Sequence, residues 1–475
     1  MPRRFICWGM VFFITVLYCL LAVQKDLSQA IPMLVGLTAL LTGLICLIFY
    51  LGEIDAINLS PWVIMAVAAF LRLIFVFSEP QLSDDIYRYL WDGLQLLTGR
   101  NPYTVAPANV SVQNGVFALL IKDINHPHLV TIYPPAAQLV FAAGSSIGGG
   151  VLGIKAMFIA MDLATCALLL RLLSLVELPS RRAVLYAWHP LPILEIAASG
   201  HVDGVCVLFF FLTFLLLAHG AVSSTWSGIS NKSSFKIFLN ITAGLAFSLS
   251  ALIKLFPLIF LPGCLFVGRI CNNMPFVTGI ILGAILLITP FMPDLKNALS
   301  TLSLYIYHWE FSGFAFRTLR RITGSGDFSR LILAFSFFFA LLIIFFKPSF
   351  KRHNSSGLNP TVTNATLLQL LKGCYSVSMA YLFLTPTLHP WYALYLISFL
   401  PFAAGPAGLV FSWSVFLSYQ VLIPYTILGK WVENSAIPLM IFIAPLTAFL
   451  IAHFFRSIRK SSKSKHMQPY AKTLF

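Results

Sequence analysis

Charge is what this chain lacks. Asp, Glu, Lys and Arg together make up 10% of its 475 residues, against 59% hydrophobic and 14% aromatic. No soluble domain has that balance, so soluble enzymes and soluble binding modules are excluded and a polytopic membrane protein is implied. Acidic residues are the scarcer kind, 16 against 31 basic, for a net charge of +15. The basic surplus lies in short loops and at the chain ends. The positive-inside rule and anionic lipid headgroups account for it, so no nucleic-acid partner is implied. Cysteine chemistry is missing as well. The eight cysteines form no CxxC pair and most lie inside apolar runs, where they read as small buried residues with no disulfide framework and no zinc site.

What is present is a succession of apolar runs, near 5–23, 30–51, 59–77, 151–173, 183–198, 203–219, 235–253, 255–267, 274–292, 329–346, 366–385, 389–404, 406–428 and 435–455. A crossing needs about 20 residues, so the expectation is an all-α protein of about 14 transmembrane helices. The first run follows Arg3 and Arg4 and lacks a small-x-small cleavage site, so it is read as a retained span. The segment 136–150 is also apolar. If it crossed, every later basic cluster would face outward. The positive-inside rule instead makes it a partly embedded helix, with Arg181/Arg182, Lys232/Lys236, Arg269, Lys351/Arg352 and the basic tail 456–475 in the cytoplasm. Residues 1–455 then form one membrane domain, with outer loops at 78–150 and 293–328 and a short outer turn at Ser199–Gly204.

Four of the rare charges fall within nine positions of the first outer loop: Asp84, Asp85, Arg88 and Asp92. Ionised groups beside a bilayer are costly unless water or function keeps them there. Pro80 stops the preceding span, Ser83 suits an N-cap, and Ile86 to Leu97 has helical spacing ending near Gly99. The pattern predicts an interfacial helix with Asp84 and Asp85 in its first turn, where the helix dipole favours a carboxylate. A capped, solvated helix face would explain the cluster blandly. An adjacent carboxylate pair suits two further jobs, taking a proton from an acceptor hydroxyl or holding a divalent cation such as Mg or Mn against a phosphate, and the spacing leaves both open.

Three further segments carry candidate residues. His126-Pro127-His128 and Tyr133-Pro134-Pro135 make a stiff polar stretch whose Tyr133 and histidines suit a cleft wall in contact with sugar or phosphate; as a metal pair the histidines lack a third ligand nearby. Gly200-His201-Val202-Asp203-Gly204 places His201 and Asp203 between two apolar runs, with Glu195 close before them. Lys254 interrupts another apolar stretch on the same outer side. It reads either as a snorkelling lysine or as a phosphate ligand, a role for which Arg317, Arg320 and Arg321 compete. His389-Pro390-Trp391-Tyr392 opens a later span and reads as aromatic belt.

Taken together, SDDIYRYLWDGLQLLTGRNPY (83–103), HPHLVTIYPPAAQ (126–138), YAWHPLPILEIAASGHVDG (186–204) and LIKLFP (252–257) resemble the GT-C superfamily of multi-span glycosyltransferases, nearest to bacterial mannosyltransferase-like members. The resemblance implies a catalytic acid in the first outer loop, matching Asp84 or Asp85, and a second acidic site at Asp203. It implies a polyprenyl-phosphate sugar donor in place of a nucleotide sugar, and the chain accordingly carries no Rossmann fingerprint. The residues and the resemblance together lead us to expect inverting transfer of a hexose such as mannose to a glycolipid or glycan acceptor, with Arg88, Tyr133, His201, Asp203, Lys254 and Arg317, read from their positions along the chain, as substrate contacts. The bacterial plasma membrane is the expected location. The rival expectation is a cation-coupled transporter or a lipid-linked sugar flippase. It is disfavoured because the ionisable residues gather in outer loops rather than at mid-span.

Overall fold

The computed structural model describes residues 2–110, 115–222, 232–266, 273–346 and 360–467. Of the basic and cysteine positions considered above, Arg269, Cys271, Lys351, Arg352 and the end of the tail lie outside them.

The described chain is helical throughout, and among the described residues no strand forms. The opening hairpin consists of α1 (Pro2–Ala22) and α2 (Ile31–Glu53), and α3 (Pro61–Leu73) follows. Ser60 caps α3 by accepting from the Val63 N–H at 3.4 Å, with Pro61 at the first helical position where its missing N–H costs nothing. The loop expected at 78–150 carries α4 (Asp85–Leu97), α5 (Val116–Leu120) and α6 (Pro135–Ser146). α6 has 12 residues, about 18 Å of helix, too little to cross a bilayer. It packs between α4 and the long α7 (Val151–Leu175). A side chain at Gly93 of α4 would collide with the Phe141 carbonyl and the Ser145 hydroxyl of α6, so glycine is what lets the two helices touch.

The run read as a span at 183–198 is not one helix. It breaks into a 3-10 turn (Ser180–Ala183), α8 (Val184–Ala187), α9 (Pro190–Pro192) and a wide π-type turn (Ile193–Ala198). Pro190 and Pro192 remove backbone donors and clash with a continuous helix. The stretch from Ala183 to His201 is buried without exception, so its unwound backbone is sheltered by protein rather than lipid.

Then come α10 (Asp203–Val222), α11 (Lys232–Ile253), a 3-10 turn (Phe256–Phe260), α12 (Leu261–Phe266) and α13 (Asn273–Ile288). α14 (Leu295–His308) and the amphipathic α15 (Phe314–Thr323) occupy the stretch 293–328. The chain ends with α16 (Gly326–Phe346), α17 (Pro360–Leu384), α18 (Ala393–Ala403), α19 (Pro406–Ser414), α20 (Leu422–Leu428) and α21 (Ala436–Met467).

Nine stretches among the described residues are long and apolar enough to cross a membrane, and four shorter apolar helices accompany them. These account for thirteen of the fourteen apolar runs; the fourteenth is the broken segment just described. The protein is an integral membrane protein.

Candidate active site

The loop between α3 and α4 delivers the aspartate pair. Ser83, expected as the N-cap, instead sits one residue earlier; its hydroxyl accepts from the Asp85 N–H at 3.3 Å, and Asp84 occupies the cap position without a side-chain cap bond. The Asp84 carboxylate is thereby left to reach sideways. Asn125, from the next loop, donates its amide to Asp84 Oδ1 at 2.7 Å and to Asp85 Oδ1 at 3.0 Å, clamping the two carboxylates together.

Asp85 is the better-held member. The Tyr133 hydroxyl donates to its Oδ2 at 3.0 Å. Tyr133 is itself fixed: its carbonyl accepts from the Tyr103 hydroxyl at 2.6 Å and from the Gln138 amide at 3.1 Å. Gly200 brings the outer turn against α4 using a left-handed backbone (φ +76), and a side chain there would run into Ile86. This sets the His201 Nδ1 3.8 Å from Asp85 Oδ2, while its Nε2 lies 3.4 Å from Glu195 Oε2. The imidazole is fully buried, stacks on Trp391 at 4.0 Å, and neither ring nitrogen has a hydrogen-bond partner. Beneath it, the Tyr419 hydroxyl lies 2.8 and 2.9 Å from the two oxygens of Glu195.

Lys254 completes the group. α11 stops at Ile253, and the ammonium reaches Asp203 Oδ2 at 3.2 Å, with the Tyr395 hydroxyl on Oδ1 at 3.2 Å. Its Nζ stands over the rings of Tyr133 and Tyr392, 5.3 and 5.8 Å from their centroids.

The electrostatics separate the two aspartates. Burial, and then the charge of Asp85, push the Asp84 carboxyl up to about 6. Burial also opposes the Asp85 charge; with the His201 ring uncharged, the Lys254 ammonium and the hydrogen bonds from Asn125 and Tyr133 are what act against burial, and Asp85 lies below the ordinary carboxylate range. Burial drives His201 down to about 3, so its ring is neutral and the standing positive charge opposite Asp85 is Lys254.

The structure therefore brings Asp84, Asp85, Tyr133, His201, Asp203 and Lys254 together. It does not bring Arg88 or Arg317 to them. Arg88 turns to Asp92 at 3.0 Å and to the Leu129 carbonyl at 3.0 Å, bracing the loop from behind. Arg317 pairs with Glu433, and both Arg320 and Arg330 pair with Glu310. Sequence reasoning did not single out Asn125, Tyr395 or Tyr419, and read Tyr392 as aromatic belt, whereas its ring faces Lys254. The one signal was an amide beside the His-Pro-His stretch and an aromatic pair after a proline. Among the described residues no group of three or more His, Cys, Asp or Glu is arranged to hold a metal ion. A cation bridging the aspartates would compete with the Asn125 amide that already spans them.

Residues 15–269, more than half the chain, match the MptA/B family profile, described as alpha-(1->6)-mannopyranosyltransferase, N-terminal domain. The chain belongs to this family. All four segments that carried the GT-C resemblance fall inside the match, as do Asp84, Asp85, Asn125, Tyr133, His201, Asp203 and Lys254. For a mannosyltransferase-family protein the chemistry to be explained is glycosyl transfer, and the α14–α15 loop with Trp391 and Tyr392 is what the remaining half adds around the site. No curated protein and no solved structure matches the chain.

Proposed function

We propose that this protein transfers mannose, with inversion, from a polyprenyl-phosphate donor to the hydroxyl of a glycolipid or glycan acceptor. The site faces the non-cytoplasmic side of a bacterial plasma membrane that the chain crosses about 14 times. The observation that carries the reading is the division of labour between two clamped carboxylates, set across Tyr133 from a lone buried-side ammonium.

Asp84 receives one side-chain hydrogen bond, and its proton affinity is raised towards neutrality, where a general base works best. It takes the proton from the acceptor hydroxyl as that oxygen attacks the anomeric carbon. The bond from that carbon to the phosphate oxygen breaks, and its electron pair leaves with the phosphate. Asp85 has both oxygens engaged and stays ionised, so it stabilises the positive charge that develops at the anomeric centre. Lys254 meets the charge on the departing phosphate; no general acid is required, because a phosphate leaves readily. Asp203 and Tyr395 hold Lys254 in place, and His201 backs Asp85.

The carrier reading would need ionisable groups left unsaturated at mid-span. Asp162, deep in α7, is closed off instead by Arg72 and Tyr186, at 2.6 Å each. The deciding experiment supplies membranes containing the protein with radiolabelled polyprenyl-phosphate mannose and a 1→6-linked dimannoside. Transfer that releases polyprenyl phosphate and is lost in Asp84→Asn supports the reading. Labelled donor crossing the membrane with no bond broken would reject it.

A further inference from the structure

The mouth of the site is framed by a closed ring of contacts in which one stretch has no role in the chemistry above. From Asp85 the ring runs through Asn125 to His126, whose imidazole lies 4.9 Å from the Trp309 ring. Trp309 lies 5.4 Å from Tyr305, whose hydroxyl meets that of Tyr392 at 2.5 Å. Tyr392 faces Lys254, and Lys254 faces Tyr133, which returns to Asp85. The two outer loops, far apart in sequence, therefore meet at His126 and Trp309.

Both residues are placed deliberately. His126 holds a left-handed backbone (φ +46), a region that few non-glycine residues enter and that histidine, like asparagine and aspartate, enters more readily than most. Trp309 is pinned through its main chain alone. Its N–H donates to the Tyr305 carbonyl at 3.0 Å and its carbonyl accepts from the Thr387 hydroxyl at 2.9 Å. Phe311, two residues on, exchanges backbone bonds with the segment 386–388, at 3.2 Å with Pro386 and 2.7 Å with Leu388. The indole is half-buried, and His126 and His128 are exposed. Among the described residues neither the indole N–H nor either imidazole makes a hydrogen bond. An aromatic face flanked by unused donors and acceptors is what a hexose requires, since its C–H face packs on a ring while its hydroxyls hydrogen-bond at the edge.

We propose that Trp309 and His126 form the ledge that binds the acceptor sugar. The proposal rests on the transfer reading for the word acceptor, and the side of the ring decides between the two substrates. Asn125 and His126 stand beside Asp84 and Asp85, where the attacking hydroxyl must arrive. Lys254 and Tyr392 stand opposite, where the phosphate of the donor must sit. The acceptor's terminal mannose lies with its apolar face on the indole and its hydroxyls towards His126 and His128, which points its free primary hydroxyl inward to Asp84.

The test measures transfer to a 1→6-linked dimannoside and binding of the same sugar by calorimetry, in the wild-type protein and in Trp309→Ala, Trp309→Tyr and His126→Asn. Trp309→Ala is expected to raise the acceptor KM roughly ten-fold, an aromatic contact's usual contribution. The donor KM and the slow hydrolysis of donor by water should be unchanged. Trp309→Tyr should recover most of the affinity, and His126→Asn, which tolerates the left-handed backbone, should weaken acceptor binding several-fold. An acceptor KM and a calorimetric affinity unchanged in both Trp309→Ala and His126→Asn would overturn the ledge. So would equal loss of donor and acceptor binding in His126→Asn. Dimannoside binding that depends on Trp309 in a protein showing no transfer would leave the ledge standing and sink the transfer reading instead.

Discussion

Two of the sets of buried ionisable groups in this protein differ in what is left over. In the interior, Arg72 of α3 and Asp162 of α7 are fully buried and saturated. The guanidinium meets Asp162 at 2.6 Å and the carbonyls of Ala68 and Ala187 at 3.0 and 2.7 Å, and the second carboxylate oxygen accepts from Tyr186. At the Asp84–Asp85 site, by contrast, His201 has two orphaned ring nitrogens, Asp203 Oδ2 is held only by an ammonium off hydrogen-bond geometry, and the Asp84 carboxyl is pushed up to about 6. A buried charge by itself does not mark function. A saturated pair ties helices together, whereas unspent hydrogen-bonding capacity beside a carboxylate pair is what the transfer proposal needs.

The sharpest way to break this contrast is to open the interior pair. Arg72→Ala or Asp162→Ala strands one charge in an apolar interior, which costs about 3–5 kcal/mol. Folded protein recovered by size-exclusion chromatography should fall sharply. Normal yield with normal activity would show that the pair is dispensable and the distinction empty.

At the outer site the same kind of change should do the reverse. Asp84→Asn should cut transfer on the order of 10²–10⁴-fold with folding intact. Folding raises the Asp84 pKa, so the ionised group favours the unfolded chain once pH climbs past its ordinary value, and its cost to the fold is complete above about 6. The uncharged Asn variant should therefore melt slightly higher than wild type at pH 7.5 and no higher at pH 4. A lower melting temperature at pH 7.5 would place Asp84 among the structural groups. Asp85→Asn should also abolish transfer, and full turnover in both variants would remove the pair from the chemistry.

A smaller effect probes the clamp. The base must be ionised, so kcat/KM should rise through about pH 6 and level off above it. The Asn125 amide favours the charged form, so Asn125→Ala should move this acid limb to higher pH by a fraction of a unit to about one unit. An unmoved limb in a folded, active Asn125→Ala protein would mean that another group sets it. The smallest effect belongs to the surface. The Arg181–Asp55 pair is 3.0 Å long with the Asp55 side chain 82% exposed, and Asp55→Asn, which keeps a residue suited to the left-handed backbone there (φ +54), should change stability by less than about 0.5 kcal/mol in a thermal melt.

Most of the helical architecture could be read along the chain. Nine of the fourteen runs expected as spans became helices long enough to cross among the described residues, four became shorter apolar helices, α4 began within a residue of its expected start, and α6 proved too short to cross. The segment 183–198 could not be read in this way. Hydropathy reports that a stretch is apolar, and this one is, but two prolines and a wide turn divert it into the protein interior. Within the site, the ionisable members stood out because charge is rare here. Asn125, Tyr392, Tyr395 and Tyr419 did not, because an amide or a phenol beside a membrane has many uses and only its partner distinguishes them.

Composition and hydrophobic period by themselves determined that this is a helical membrane protein with its few charges gathered at helix ends, because each backbone span must satisfy its own hydrogen bonds and each charge must escape the lipid. They also placed Asp84, Asp85, His201, Asp203 and Lys254 among the residues to watch. Which of these meet, which aspartate stays ionised, and that Arg88 and Arg317 are spent elsewhere were decided only in three dimensions. Pairing and proton affinity depend on distances between residues up to about two hundred positions apart, such as Asp203 and Tyr395 at |i−j| = 192, and no local pattern encodes those.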